Sequence, residues 1–154
     1  MKKITLINLD TTVLKEYNAF AEANTNWNMH SYVNMKYDIN AAIAFGKFYF
    51  PEFIEIKNCI ILKERFNNSI FEEWYNEFVG DVSKIEKMCN LYEVGDFFHI
   101  NTSLADMKQI IQFGHILKKS YEINLKLLFP NREFEVNFFE ENETQYITFF
   151  QKEE

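Results

Sequence analysis

The longest periodic pattern in the chain covers residues 103–128, where apolar side chains recur at helical spacing. One broad face carries Leu104, Met107, Ile110, Ile111, Gly114, Leu117, Tyr121, Leu125 and Leu128. The polar stripe is narrow and contains Lys108, Gln112, His115, Lys119, Glu122 and Lys126. A helix that is apolar almost all round usually lies at the centre of a domain. We therefore predict a long central helix over about 103–128, capped by Ser103 and ended before Pro130.

A second kind of pattern alternates apolar and polar residues at the period of a strand. It covers residues 133–151, where two arms flank a turn at 141–144. In the first arm Phe134, Val136 and Phe138 alternate with Glu133, Glu135 and Asn137, which places the two sets on opposite faces. We assign Phe139 and Phe149 to the face opposite Phe134 and Phe138. The pattern predicts a β-hairpin with one strongly acidic face.

Residues 53–64 predict another hairpin, because β-branched residues dominate both arms around Lys57 and Asn58. Asn58 tolerates the positive φ that a tight turn requires. An isolated hairpin is only marginally stable in water. We therefore expect the hairpins at 53–64 and 133–151 to join in one small, mostly antiparallel sheet.

The remaining residues predict shorter elements. We expect a strand at 4–9, a helix from about Val13 behind a cap at Asp10, a connection over 24–37, a helix capped by Asp38 and closed by Pro51, and helices opened by capping boxes at Ser69–Glu72 and Ser83–Glu86. No strand–helix–strand alternation of the parallel kind occurs. The fold class is α+β, a sheet packed against a helical layer, in a single domain over residues 1–154.

The cysteine content and the apolar runs bear on the compartment. Cys59 and Cys89 form no CxxC pair, and free thiols are the interpretation that fits a reducing environment. Asp10 and Lys15 interrupt the first apolar stretch, and no run approaches the ~18 residues of a membrane span. We expect a cytoplasmic protein without a membrane segment.

The charge of the chain is unevenly distributed. The net charge is −7 over 154 residues, and the last 22 residues alone carry seven Glu and one Lys, a net charge of −6. These residues also contain six aromatic side chains, which a disordered acidic tail would lack. Such a segment can fold into a fixed negative surface that attracts a basic partner. Binding to DNA or RNA is disfavoured, because it depends on Lys and Arg.

Motifs for catalysis or for a cofactor are absent from the sequence. The three His residues belong to no HxH, HExxH or Cys/His set of zinc spacing, so no metal is predicted. The four Gly residues stand alone and form no phosphate-binding loop, so no nucleotide cofactor is predicted. We assign no catalytic residue. An alternative is an enzyme or small-ligand site assembled only in three dimensions, lined by Cys89, Asp96, His99 or His115.

The residues that we assign to partner binding are acidic or aromatic. They are Glu72, Glu73 and Glu77 on a predicted helix, Glu133, Glu135, Glu140 and Glu141 with Phe139 and Phe149 on the hairpin, and Trp27 and Tyr32 in the Asn-rich segment. Interfaces are enriched in Tyr and Trp, although cores hold them too. The competing interpretation makes the helix carboxylates a solvated face and Trp27 and Tyr32 anchors of a loop on the core.

A small, acidic α+β chain without a reaction motif is similar, in size and charge, to bacterial immunity proteins and phage-encoded inhibitors. That resemblance implies tight, electrostatically steered binding to a basic protein such as a nuclease toxin. We therefore expect a binding protein that docks an acidic, aromatic surface on a basic partner. A homo-oligomer, including a homodimer, whose exposed Phe face is buried between copies is a second alternative.

Overall fold

The computed structural model describes residues 4–100 and 106–152 and confirms the α+β class. Its helices are α1 Lys15–Ala23, α2 Met29–Lys36, α3 Ile39–Tyr49, α4 Asn68–Glu77, α5 Val82–Cys89 and α6 Met107–Leu128. Its strands are β1 Phe53–Ile56, β2 Cys59–Leu62, β3 Tyr92–Glu93, β4 Phe134–Glu141 and β5 Thr144–Gln151. Short 3₁₀ turns occupy Thr11–Val13, Lys63–Arg65 and Val94–Phe98.

Both predicted hairpins form, but they do not join in one sheet. β1 and β2 make a two-stranded antiparallel sheet with Lys57 and Asn58 at positive φ in the turn. β4 and β5 form the second hairpin, and β3 pairs with the other edge of β5, giving the order β3-β5-β4. The prediction of a single sheet is therefore wrong, and helix α5 explains why.

Two polar side chains, Glu86 of α5 and Asn90, which caps the C-terminal end of this helix, lie between β2 and β5 and take the hydrogen bonds that a continuous sheet would make. The Glu86 carboxylate accepts from the backbone N–H of Ile60 at 2.6 Å and from that of Gln151 at 2.5 Å. Asn90 accepts from the N–H of Leu62 at 3.0 Å and donates to the carbonyls of Ile60 and Phe149. The two hairpins are thus connected through α5 rather than through a strand ladder.

Helix α6 forms the main core, as its pattern predicts. Leu117, Tyr121 and Leu125 are buried and pack with residues of β2, β4 and β5. Gly114 faces the ring of Phe138, and a Cβ built at this glycine would overlap that ring. Close packing against a neighbour therefore accounts for this glycine.

The start of α6 differs from the prediction. Ser103 lies outside the described residues, and the structure begins the helix at Met107. Asp106 is the N-cap: its side chain accepts from the N–H of Gln109, and the Gln109 side chain accepts from the N–H of Asp106. This reciprocal pair is a capping box that the sequence analysis missed.

A second apolar cluster lies between the β1–β2 hairpin and helices α4 and α5. It consists of buried Cys59, Ile61, Phe71 and Ile85, with partly buried rings around them. All the fully buried apolar side chains of the described residues lie between Cys59 and Phe149. The stable core is therefore built without the first fifty residues.

Four of the predicted helix caps can be compared with the described structure. Asp10 caps the 3₁₀ turn Thr11–Val13 and not α1, which begins at Lys15 without a side-chain cap. Asp38 caps α3 as predicted, with its side chain accepting from the N–H of Ala41. The capping boxes at Ser69 and Ser83 are wrong, because Asn67 caps α4 and Asp81 caps α5. Each of these residues lies two positions earlier and provides a side-chain oxygen to the first free N–H groups of its helix.

The N-terminal residues hold the other corrections. Residues 4–9 form no strand; Ile4 and Leu6 are largely exposed there and pair with no β-strand. The predicted connection over 24–37 contains helix α2, capped by Asn28. The sequence of this helix has no apolar period. Aromatic contacts hold the helix instead; for example, the ring centroids of Tyr17 and Tyr32 lie 5.4 Å apart.

Candidate functional site

The candidate site is built by the alternation of side chains along β4. Val136 is buried on the face toward α6, so the neighbouring odd-numbered residues lie on the opposite face. This places Glu133, Glu135, Phe139 and Glu141 on one face of the three-stranded sheet. The carbonyl of Glu133 accepts from the N–H of Lys152 at 2.9 Å, which extends the ladder to the first of these carboxylates.

The other strands add aromatic and acidic neighbours to this face. Tyr146 of β5 lies opposite Phe139, and the two rings stack with centroids 5.8 Å apart. Glu93 of β3 lies in register with Tyr146 on its other side. We call the group Glu93, Glu133, Glu135, Phe139, Glu141 and Tyr146 the acidic sheet face. Glu93 and Tyr146 were not assigned from the sequence, because their position depends on the pairing of β3 with β5.

Few cations compensate this charge. The Nζ of Lys152 lies 4.0 Å from the Glu133 carboxylate, and both side chains are exposed. No ion pair within residues 4–100 and 106–152 reaches Glu135 or Glu141. Glu135 and Glu141 therefore make no ion pair among the described residues, although Lys87 lies 5.5 Å from the centre of the Phe150 ring, which is the ladder partner of Glu135.

Two hairpin residues that we assigned to partner binding lie elsewhere. Glu140 is on the face toward α6, where its carboxylate accepts from the side chain of Gln145 at 2.6 Å. Phe149 pairs with Val136 in the ladder and is 0% exposed, so its assignment to the face of Phe139 is wrong. Phe149 is buried because α6 covers its side of the sheet, and the strand pattern alone did not reveal this.

The acidic helix face is partly neutralised. Glu72 makes a salt bridge to Lys57 at 2.8 Å, and the same Nζ lies 4.0 Å from the centre of the Tyr75 ring. Glu73 and Glu77 are exposed on α4. The three carboxylates therefore do not act as one negative cluster, and the aromatic side chains of α4 pack inward on the second apolar cluster.

The two aromatics of the Asn-rich segment belong to a ring cluster of α1 and α2. Tyr32 contacts Tyr17, Phe20 and Tyr37, and its hydroxyl lies 3.4 Å from the Glu16 carboxylate. Burial raises the pKa of Tyr32 to about 12. Trp27 packs on Phe20 while half of its surface stays exposed. Tyr32 is a packing residue, whereas Trp27 remains accessible.

The structure places two residues of the alternative ligand site, Cys89 and His115, in different pockets. Cys89 lines a small cavity beside Phe71, and His115 lines a different cleft beside Asn8, so the two do not share a pocket. Burial raises the pKa of Cys89 to about 11 and that of Cys59 to about 12, which leaves both thiols protonated and unreactive. No cluster of three or more metal-ligating side chains occurs among the residues that the structure describes.

Two larger cavities remain. A polar cleft of about 590 Å³ lies beside Arg132 and Lys152; Ser83, Asp81 and Glu133 also line it, and no cysteine or histidine does. An apolar cleft of about 430 Å³ lies between α3, the turn Val94–Phe98 and α6. Its rings, including Phe48, Phe98 and Phe113, already contact one another. Neither cleft is lined by a cysteine or a histidine.

Comparison with known proteins supplies no functional information: no family model, curated protein or solved structure matches this chain. Within the described residues, no helix combines the length and the apolar character needed to cross a bilayer.

Proposed function

We propose that this protein is a binding module that docks the acidic sheet face on a basic protein partner. The observation that carries the proposal is the position of Glu135 and Glu141, which make no ion pair among the described residues, on either side of Phe139, whose partly exposed ring stacks on Tyr146. An aromatic anchor surrounded by like charges can combine apolar burial at the centre with electrostatic steering at the rim.

The supporting sheet is rigid where the site requires it. β5 lies between β3 and β4, and Thr148 donates to the carbonyl of Lys87 at 2.8 Å, which fixes the sheet against α5. A site on a strand held from both sides loses little conformational freedom on binding, which favours affinity. The class of partner is a protein with a positive surface patch, as in toxin–immunity or enzyme–inhibitor pairs.

The compartment forms part of the proposal. Both cysteines are free and their thiols are unreactive, which suits a protein of the cytoplasm. We propose that the chain lies in the cytoplasm and neutralises its partner there.

The first experiment identifies what contacts the site. A photo-crosslinking amino acid replaces Phe139, which is 36% exposed, and the protein is irradiated in the native host. The matched control carries the same amino acid at Ile70 of α4, which is 49% exposed. We expect a specific adduct with a basic protein at position 139 and not at position 70.

The second experiment measures steering with the partner that crosslinking identifies. The double variant Glu135→Lys and Glu141→Lys should slow association by roughly tenfold at low salt, because charges at a rim act chiefly on the association rate. The difference should largely vanish at about 1 M salt, where the screening length falls to about 3 Å.

The control for steering carries Glu73→Lys and Glu77→Lys, the same charge change on α4. This variant should associate at nearly the wild-type rate. Equal slowing by both double variants would show that net charge rather than the acidic sheet face governs binding. Unchanged kinetics in both would refute the proposal.

A further inference from the structure

The outward face of α3 carries a stripe of apolar side chains in solvent. Ile39 is 74% exposed, Ile43 is 70% exposed, and Phe50, which ends the helix, is 74% exposed. The spacing of four and then seven residues places them along one side of the helix. The opposite side carries Phe45 and Phe48, whose rings contact Phe98.

A helix that is apolar on both sides is normally enclosed by protein. Lys47 is the one charged residue of α3, and no residue of this helix is buried. Helix α6, which has a comparable pattern, buries Leu117, Tyr121 and Leu125. The outward side of α3 therefore has the apolar composition of a buried surface, although it is exposed to solvent.

The stripe also contains a notch. A Cβ built at Gly46 meets no atom within 4 Å, so the surface is open at this point of the helix. Gly46 lies between Ile43 and Phe50 on the same side. The stripe therefore offers both a protruding side chain and a recess of one residue in depth.

Charge favours a second copy of this chain as the occupant. Residues 4–50 contain three Lys and four acidic residues, a net charge of −1, whereas residues 51–152 carry a net charge of −6. Two copies repel one another through their sheet faces, whereas the surroundings of α3 are nearly neutral. An acidic protein therefore associates with itself at lowest electrostatic cost through this helix.

The exposed area suits a small symmetric interface. With about 150–250 Å² for a large side chain, the exposed parts of Ile39, Ile43 and Phe50 give roughly 400 Å² per copy. A standard interface buries about 800 Å² per partner, and its centre is the most apolar part. The stripe therefore accounts for about half of a standard interface.

We propose that the outward stripe of α3 is a homodimer interface in which the two helices pack antiparallel. In this arrangement Ile43 lies over the partner's Gly46, and Ile39 lies over the partner's Phe50. Both contacts occur twice by the two-fold symmetry, so one patch is complementary to itself. The proposal does not depend on the acidic sheet face, which lies on other elements.

The test is the mass of the full-length protein in solution as a function of concentration. Sedimentation equilibrium from about 1 to 100 µM covers dissociation constants near 10 µM. We expect a reversible monomer–dimer equilibrium for the wild type and a monomer for Ile43→Lys. The matched control is Leu127→Lys on α6, where the side chain is 73% exposed, and it should dimerise like the wild type.

A second variant tests the interface even if the Ile43→Lys variant does not fold. Gly46→Leu fills the notch; a Cβ at this position meets no atom within 4 Å, and leucine favours a helix more than glycine does, so we expect the monomer to fold. Its dimer should dissociate at least about tenfold more readily than the wild type. A wild type that stays monomeric throughout, or a dimer that survives both α3 variants, would overturn the proposal.

Discussion

At the scale of single residues, Glu86 connects more of the molecule than its place in the sequence suggests. Its carboxylate is 0% exposed and accepts from the side chain of Gln151 at 2.7 Å, besides the two backbone N–H groups of β2 and β5. Burial raises the pKa of this carboxyl above 4.5, while the donated hydrogen bonds oppose the shift. The Ser-x-x-Glu spacing predicted that Glu86 caps the start of a helix. That spacing does not show whether the side chain is buried.

The first residue-scale prediction concerns Glu86→Gln. We expect a loss of about 1–3 kcal/mol in the free energy of unfolding at pH 5, because an amide nitrogen faces a backbone donor. A raised pKa in the folded state contributes stability that is complete below 4.5 and is lost as the pH rises through the folded value. The difference from wild type should therefore shrink toward pH 8.

Urea denaturation at several pH values measures this difference. Glu73→Gln on the exposed face of α4 is the control and should stay within about 0.5 kcal/mol of wild type. A difference that grows from pH 5 to pH 8 would contradict the raised pKa of Glu86.

At the scale of elements, two glycines in helices allow a matched pair of substitutions. Gly114→Ala should destabilise the protein by about 1–3 kcal/mol, because the new Cβ overlaps the Phe138 ring. Gly46→Ala should stabilise it by about 0.5–1 kcal/mol, because the helix gains propensity in open space. Thermal unfolding in the Ile43→Lys background removes any effect of dimerisation.

The double variant Gly114→Ala with Phe138→Leu separates overlap from propensity. A smaller side chain at 138 should recover part of the loss caused by Gly114→Ala. Equal stabilisation by both glycine substitutions would show that α6 does not approach β4 as closely as the structure indicates.

The elements that the sequence predicted correctly are those whose period reports burial directly. Helix α6 and the two hairpins have strong patterns over many residues, so their type and approximate bounds followed. Helix α2 was not predicted from the sequence, because aromatic contacts such as that of Phe20 with Tyr32, rather than an apolar stripe, hold it in place. The strand alternation placed Phe139 correctly on the acidic sheet face, but the burial of Phe149 depended on α6 covering the other side.

At the scale of the whole molecule, the N-terminal helices and the rest of the chain differ in packing. Helices α1, α2 and α3 contain no buried residue, and residues 4–50 hold twelve of the twenty large exposed apolar side chains in the described part. Regions with few buried contacts open more easily than the core. The molecule therefore consists of a firmly packed part after Pro51 and a more loosely held helical part before it.

The whole-molecule prediction follows for hydrogen exchange. Amides of α1 and α2 should exchange through openings that cost roughly half the global free energy or less, whereas the centre of α6 should exchange only on global unfolding. Mass spectrometry after proteolysis resolves these segments. Protection of α3 alone should increase with protein concentration if the dimer forms, and uniform protection of all helices would contradict the division.

The bridge made by α5 also has a consequence for the nascent chain. The outer edge of β2 is a template for aggregation while its backbone groups are unpaired. Glu86 and Asn90 follow their β2 partners by 26 and 28 residues, whereas Phe149 and Gln151 follow Asn90 and Glu86 by 59 and 65 residues. During synthesis, α5 can cover the β2 edge long before β5 leaves the ribosome. Glu86 and Asn90, which later join the two hairpins, can thus first prevent the β2 edge from pairing with a strand of another chain.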